Sequence, residues 1–408
     1  MAKGTAIKYT SAEIMELDKQ YSACNYEPLP VVIDRAEGVR VWNPEGRMYF
    51  DFLSAYSAVN QGHRHPRIIG ALLEQAGSCT LTSRAFHNSR MGQFLRRLCA
   101  YTGHEMALPM NTGVEAVETS LKLARRWGAM HKNIPNGRQE IITAAGNFHG
   151  RTLTVVSFST DPTARDDFGP YTPGFKTVPY NDPEAIEQAV NENTCAVLIE
   201  PIQGEAGIKI PDPGYLRSVR EICDRHRILF IADEIQTGFC RTGRKFALDY
   251  EEVRADVLVL GKALGGGVLP VSAVVASREL MSVFTPGSHG STFGGNPLAA
   301  AVGLAALEVL EDENLAEKAL AMGELFRKEV AAVDCPRIIE VRGKGLLNAV
   351  EFEEGFDAHE VCLRLMEKGV LAKQTHGNII RFAPPLVIRR AEMEEALAVI
   401  TAVLADIG

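Results

Sequence analysis

Three apolar runs in the middle of the chain end on charged residues. Residues 195–201 read CAVLIEP, residues 228–234 read ILFIADE and residues 256–262 read DVLVLGK. Each run is continuous rather than alternating, as expected of strands buried on both faces. From about residue 68 to 290 such runs alternate with stretches of helical periodicity, which predicts a mostly parallel sheet with crossover helices. The flanks read differently. Thr10 and Glu13 have capping-box spacing at the start of a short helix. Residues 38–52, GVRVWNPEGRMYFDF, read as a hairpin around the turn Asn43-Pro44-Glu45-Gly46. Asn296-Pro297, a cap followed by proline, opens a long Ala/Leu-rich helix. Beyond it, residues 337–352 and 378–388 are strand-like, with a helix between them and a final helix from about Arg390. These patterns predict an α/β protein with a smaller C-terminal α+β unit. The boundary is expected inside the long helix, near residues 310–330.

Composition narrows the function classes. The 408 residues are 46% hydrophobic and 23% charged, as in a globular protein large enough for two domains. The net charge is −8 and no basic cluster is long enough to track a nucleic-acid backbone. Anionic metabolites must therefore be held by local charges. The eight cysteines are scattered without a C-x-x-C pair, which leaves zinc and thioredoxin-type readings unsupported and suits a reducing compartment. The start of the chain shows no apolar signal core, and no apolar run approaches the length of a membrane span. A cytoplasmic protein is expected. His63 and His65 form H-x-H without further ligands at a fixed spacing, so no metal is expected.

In an open parallel sheet, ligands bind beyond the carboxyl ends of the strands. The residues just after the apolar runs are therefore the candidates. Thr112, Gly113 and Val114 in PMNTGVEA would present N–H groups at a helix N-terminus, either as an anion site or as a plain cap. Phe148, His149 and Arg151 lie in a glycine-flanked loop. Glu200 and Glu205 follow one run, Asp233, Glu234 and Gln236 a second, and Lys262 a third. Singly, each acid reads as a loop residue or a cap. Together they converge on one sheet edge, which favours an active site.

Lys262 has three readings. A phosphate loop needs G-x-x-x-x-G-K-[ST], but Ala263 follows the lysine and Asp256 stands where the first glycine belongs. A turn lysine explains Lys262 but not its company. A covalent lysine explains more: an amine in a partly apolar site loses ammonium character and can condense with an aldehyde. With pyridoxal phosphate as that aldehyde, residues 112–114 supply the anion site, and Asp233 is the candidate carboxylate that keeps the pyridine nitrogen protonated.

The motifs NTGVEA, EPIQGEAG, ADEIQTG, GKALGGG and HGSTFGGNP occur together. In them the chain resembles the class III pyridoxal-phosphate aminotransferases over nearly its whole length. LSAYSAVNQGH and VRGKGLLNAVEF look more like the ornithine aminotransferases of that class than the acetylornithine ones. The resemblance implies fold-type I: a large domain over residues 51–315 with a mainly parallel seven-stranded sheet, a small α+β domain from residues 1–50 and 316–408, and a homodimer. It implies that Lys262 is the Schiff-base lysine and proton shuttle, that Asp233 pairs with the pyridine nitrogen and that Gln236 contacts the ring oxygen. Phe148 would stack on the ring and Gly113 and Val114 would bind phosphate, with Thr112 and Glu200 also in the cofactor-binding set. Thr292 would reach the phosphate bound to the neighbouring subunit.

On the substrate side, Arg381 resembles the arginine that binds the carboxylate of glutamate, and Glu205 the acid that silences it while ornithine is bound. Tyr26 and Arg151 resemble the residues that hold the far end of ornithine, and Tyr56 a pocket tyrosine. The implied reaction passes the δ-amine of L-ornithine to 2-oxoglutarate. It yields glutamate semialdehyde, which cyclises to pyrroline carboxylate, and L-glutamate, with ping-pong kinetics. His149 stands where histidine is usual in acetylornithine enzymes. Acetylornithine or 4-aminobutyrate aminotransferases are accordingly the nearest rivals, and a non-catalytic regulatory protein the remote one.

Overall fold

The structure, a computed structural model, describes residues 9–408. Its centre is a seven-stranded sheet: β1 (Met106–Met110), β2 (Glu140–Ala144), β3 (Phe175–Val178), β4 (Thr194–Ile199), β5 (Leu229–Asp233), β6 (Val257–Leu260) and β7 (Ser272–Ala276). The spatial order is β1-β7-β6-β5-β4-β2-β3. Strands β2 to β6 are joined by parallel ladders. Only β7 runs against its neighbours, β1 and β6.

The continuous apolar runs have the burial they predict. Every residue of β4, β5, β6 and β7 is buried. Alternate side chains enter two separate cores: Val197, Ile199, Phe230 and Ala232 pack on one face, and Ala196, Leu198, Leu229 and Ile231 on the other. The helix Gly113–His131 covers the second face with Ala116, Val117, Leu121 and Leu123. Fully burying one such aliphatic side chain contributes roughly 1.5–3 kcal/mol. The strands are thus a rigid platform, and chemistry is left to the loops at their ends.

The expected long helix is two helices. Asn296 caps Pro297–Asp312, its side chain accepting from the Ala299 N–H. The helix stops there, and Asn314 takes a left-handed φ of 51° before Leu315–Ala331 begins. Asparagine tolerates that conformation better than most residues. Three acids in a row, Glu311 to Glu313, also oppose the negative end of the helix dipole.

Two small sheets flank the centre. The hairpin strands Arg40–Trp42 and Met48–Asp51 pair antiparallel, and Met48–Asp51 also pairs in parallel with Val370–Leu371. The other small sheet orders Ile338–Lys344, Leu347–Phe352, Ile379–Phe382 and Lys373–Thr375. The strand expected over residues 378–388 ends at Phe382. Pro384 and Pro385 have no N–H for a ladder. The chain there bonds instead to the segment after the hairpin: Ala383 N–H donates to the Phe52 carbonyl at 2.6 Å and Leu386 N–H to that of Asn60 at 2.8 Å. No described helix is long and apolar enough to cross a membrane.

Candidate active site

The carboxyl ends of β4, β5 and β6 enclose a cavity of about 210 Å³. Gly113, Val114, Phe148, Glu200, Glu205, Asp233, Gln236 and Lys262 all line it, so most of the predicted set converges. Lys262 follows β6 with a left-handed φ of 44°. Burial pulls its ammonium below the usual lysine range, and the opposing pull of Glu205 and Asp233 does not cancel that.

Asp233 closes β5. One carboxylate oxygen accepts from the Ile235 N–H at 3.0 Å and the other meets His149 Nδ1 at 2.7 Å. Burial alone would lower the His149 pKa, but the Asp233 carboxylate outweighs it and the net shift is upward. The Asp233 carboxylate thus favours the protonated ring within a buried pair, while His149 Nε2 is buried without a partner. This partnership was missed in the sequence. The two residues are 84 positions apart, and nothing in the spacing links them. Glu200 accepts from the Phe148 N–H at 3.0 Å and so fixes the loop that carries the ring. Burial, with Asp233 and Glu205 adding to it, pushes Glu200 up to about 7. Glu234 points the other way, to Thr237 and the Leu248 N–H.

Glu205 gathers the polar groups at the mouth. Its Oε1 accepts from Arg381 Nη1 at 2.7 Å and from Gln236 Nε2 at 3.1 Å. Burial would raise its pKa, but Arg381 and Lys262 outweigh that and lower it. The amide nitrogen of Gln236, predicted to face a cofactor oxygen, is thus turned to Glu205. Gly204 is required for this packing, since a Cβ there would lie 1.5 Å from Gln236 Oε1. The Arg381 guanidinium carbon sits 4.9 Å from the Tyr56 ring centre.

The predicted anion site needs one correction. Thr112 caps the helix, accepting from the Glu115 N–H, while its own N–H donates to the Glu115 carboxylate at 2.8 Å. That N–H is occupied, so of residues 112–114 only Gly113 and Val114 offer free backbone N–H groups. Gly113 and Val114 are the first two helical residues, whose N–H groups have no intrahelical acceptor, and both face the cavity. Arg151 is exposed and lies over Phe148, 5.5 Å from its ring centre. Tyr26 is 75% exposed and outside the cavity, though near enough to Tyr56 to act on its ionisation. Thr292 is exposed and does not line the cavity of its own chain. His63 and His65 turn to different carboxylates, Asp51 and Glu313. Among the described residues no group of three His, Cys, Asp or Glu could hold a metal ion.

Residues 21–404 match the aminotransferase class-III family. The chain belongs to the class III aminotransferases. It is 56% identical over 397 residues to the ornithine aminotransferase of Oceanobacillus iheyensis, covering 97% of this chain and 99% of that one. It superposes on the ornithine aminotransferase of Toxoplasma gondii with a TM-score of 0.96 at 45% identity, covering 98% and 95% of the two chains. That structure holds pyridoxal phosphate at partial occupancy in its active site. An acetylornithine aminotransferase from Elizabethkingia anophelis matches with a TM-score of 0.89 at 47% identity, covering 98% of this chain and 100% of that one.

Class III aminotransferases use pyridoxal 5′-phosphate, and the residues present suit it. An amine of lowered pKa, a buried carboxylate and two unpaired N–H groups at a helix start line one cavity. Gly113 and Val114 can take a phosphate, Asp233 a protonated ring nitrogen, and Phe148 the face of a ring. When bound, the cofactor supplies a carbonyl for amine exchange and an electron sink. Lys262 can carry a proton on Nζ, and burial, by lowering its pKa, favours the neutral amine more than in an exposed lysine. The His149 ring on the far oxygen of Asp233 holds that carboxylate in place.

Proposed function

We propose that this class III aminotransferase transfers the δ-amine of L-ornithine to 2-oxoglutarate, giving glutamate 5-semialdehyde, which cyclises, and L-glutamate. The pairing of Arg381 with Glu205 carries the reading. The reacting carbon of ornithine bears no carboxylate, whereas that of glutamate does. One site can serve both only if a carboxylate-binding arginine is silenced for the first and freed for the second. A single charge-assisted bond at 2.7 Å, with Glu205 still 27% exposed, is strong yet reversible.

In this reading Lys262 is the covalent lysine and proton carrier, and Asp233 the partner of the ring nitrogen. Gly113 and Val114 hold the phosphate, Phe148 the ring face and Gln236 the ring oxygen, with Glu200 supporting the Phe148 loop. Tyr26 and Arg151 take the α-amine and α-carboxylate end of ornithine, and Tyr56 is a pocket tyrosine whose ring lies against Arg381. Thr292 serves the phosphate site of a second copy in a homodimer. What supports the homodimer is the surface beside Thr292, where Leu81, Phe86 and Phe293 are exposed. The 84–88 segment is tied to it through Arg84 on the Gly294 carbonyl and Asn88 on that of Gly295. We also propose a division near residue 315, with residues 1–50 joining 316–408, and a cytoplasmic location.

A second reading, an acetylornithine aminotransferase, draws on His149 and on the similarity to the Elizabethkingia enzyme. Titrating the holoenzyme separates the two. The visible cofactor band, near ~420 nm for a protonated lysine–pyridoxal imine, should be lost on adding L-ornithine and restored by 2-oxoglutarate. Loss with N-acetyl-L-ornithine or 4-aminobutyrate instead would overturn the substrate assignment.

A further inference from the structure

Residues 54–57 hold four consecutive left-handed conformations, with φ of 50° at Ser54, 46° at Ala55, 58° at Tyr56 and 74° at Ser57. None is a glycine. L-residues normally visit this region singly, because Cβ crowds the following carbonyl. The turn also buries Ser54 Oγ and Ser57 Oγ without partners. Such a run persists only where its surroundings over-determine it.

Asp51 supplies that constraint. Its Oδ1 accepts from the Leu53 N–H at 2.8 Å and the Ser54 N–H at 2.9 Å, while Oδ2 meets His63 Nε2 at 2.7 Å. His63 is itself fixed by a two-way backbone bridge: its N–H donates to the Gly38 carbonyl at 2.8 Å, and the Gly38 N–H donates back at 3.0 Å. What the turn delivers is Tyr56, whose ring lies against Arg381 while Arg381 is bonded to Glu205.

We propose that Asp51 and His63 are positioning residues that hold a strained left-handed turn so that Tyr56 keeps Arg381 in its Glu205-paired state, and thereby set the preference between the two amino donors. The proposal rests on the reading of Tyr56, Arg381 and Glu205 given above. A guanidinium over an aromatic face is held by cation–π attraction. Without it, Arg381 is freer to leave Glu205 for a carboxylate at the reacting carbon. The mount therefore favours the donor that has none there, ornithine over glutamate.

The test is single-turnover kinetics of the holoenzyme with each donor. His63 is only part-buried, so His63→Ala should fold. It is expected to lower the ornithine-to-glutamate ratio of rates about tenfold, with the glutamate rate within about twofold of wild type. His63→Gln, which keeps a donor for Asp51, should recover most of the ratio. So should Ala55→Gly added to His63→Ala, because glycine takes the left-handed conformation without a Cβ penalty. A merely structural role would instead lower both rates together and would not be rescued at residue 55. Either of those results overturns the proposal. Should His63→Ala not fold, Asp51→Asn carries the same comparison. Tyr56→Leu separates the two layers. If it lowers the ratio while His63→Ala does not, the proposal is overturned and the Tyr56–Arg381 reading stands. If it leaves the ratio unchanged, the Tyr56–Arg381 reading falls and the proposal with it.

Discussion

Removing the Glu205 carboxylate should split the two half-reactions. In Glu205→Ala, Arg381 loses the one ion pair it makes among the described residues, and in the proposed reading its guanidinium is then left free for whichever donor is bound. The Arg381 side chain is 7% exposed and that of Glu205 27%, with 2.7 Å between them. Fully exposed pairs are worth about 0.2–1 kcal/mol, and a hydrogen bond to a charged group about 1.5–3 kcal/mol. A part-buried pair with one charge-assisted bond belongs near ~2 kcal/mol, which is about 30-fold in a ratio of rates. Lys262 is affected too, since Glu205 raises its pKa. That effect is common to both half-reactions and cancels in their ratio. The assay is stopped-flow absorbance of the bound cofactor, with ornithine and glutamate in separate runs. The ornithine rate constant per unit concentration should fall about 30-fold while that for glutamate holds or rises. Glu205→Asp, which keeps the charge on a shorter arm, should fall between. Equal losses with both donors would refute the switch and leave Glu205 as a general support of Lys262.

Two further outcomes follow from the same geometry. His149→Ala leaves Asp233 Oδ2 buried without its hydrogen-bond partner, and orphaning a buried polar group costs about 1–3 kcal/mol. Denaturant unfolding should show that loss, together with weaker cofactor retention. It should also change the pH profile. The His149 pKa is raised in the folded state, so its stabilisation is complete below the ordinary histidine value and is lost as pH rises through the raised one. Glu205 is lowered, so its contribution is present above the ordinary carboxylate value and is lost as pH falls through the depressed one. Melting temperature against pH should decline less steeply on the alkaline side in His149→Ala, the raised Glu200 and Glu234 supplying the rest, and keep its acid-side decline. In Gly204→Ala, the new methyl would lie 1.5 Å from Gln236 Oε1, so Gln236 must leave Glu205. Overpacking of this kind costs about 1–3 kcal/mol, and it should appear as a lower melting temperature and a weakened cofactor band.

The sequence by itself determined the platform and which residues stand on its edge. β4, β5 and β6 were legible because burial on both faces demands an unbroken apolar run, and the charged residues ending each run had to lie at the carboxyl edge. β1 and β3 were not singled out. Both are outermost in the sheet, where burial is incomplete and Pro109 is tolerated in β1. β7, SAVVA, is buried but opens on a serine and is built of small residues. Tertiary structure alone decided the pairings among the charges. His149 meets Asp233 across 84 positions, and Arg381 comes from a small C-terminal sheet to Glu205 across 176. It also decided that the Thr112 N–H serves Glu115, that the long helix breaks at Asn314, and that residues 54–57 turn left-handed around Asp51. The physical reason is range. Burial is written locally, as an unbroken apolar run in a strand covered on both faces and as a third- or fourth-residue period in a helix. A charge pair is one contact between distant segments, set by how the whole chain closes, and it leaves no periodic trace.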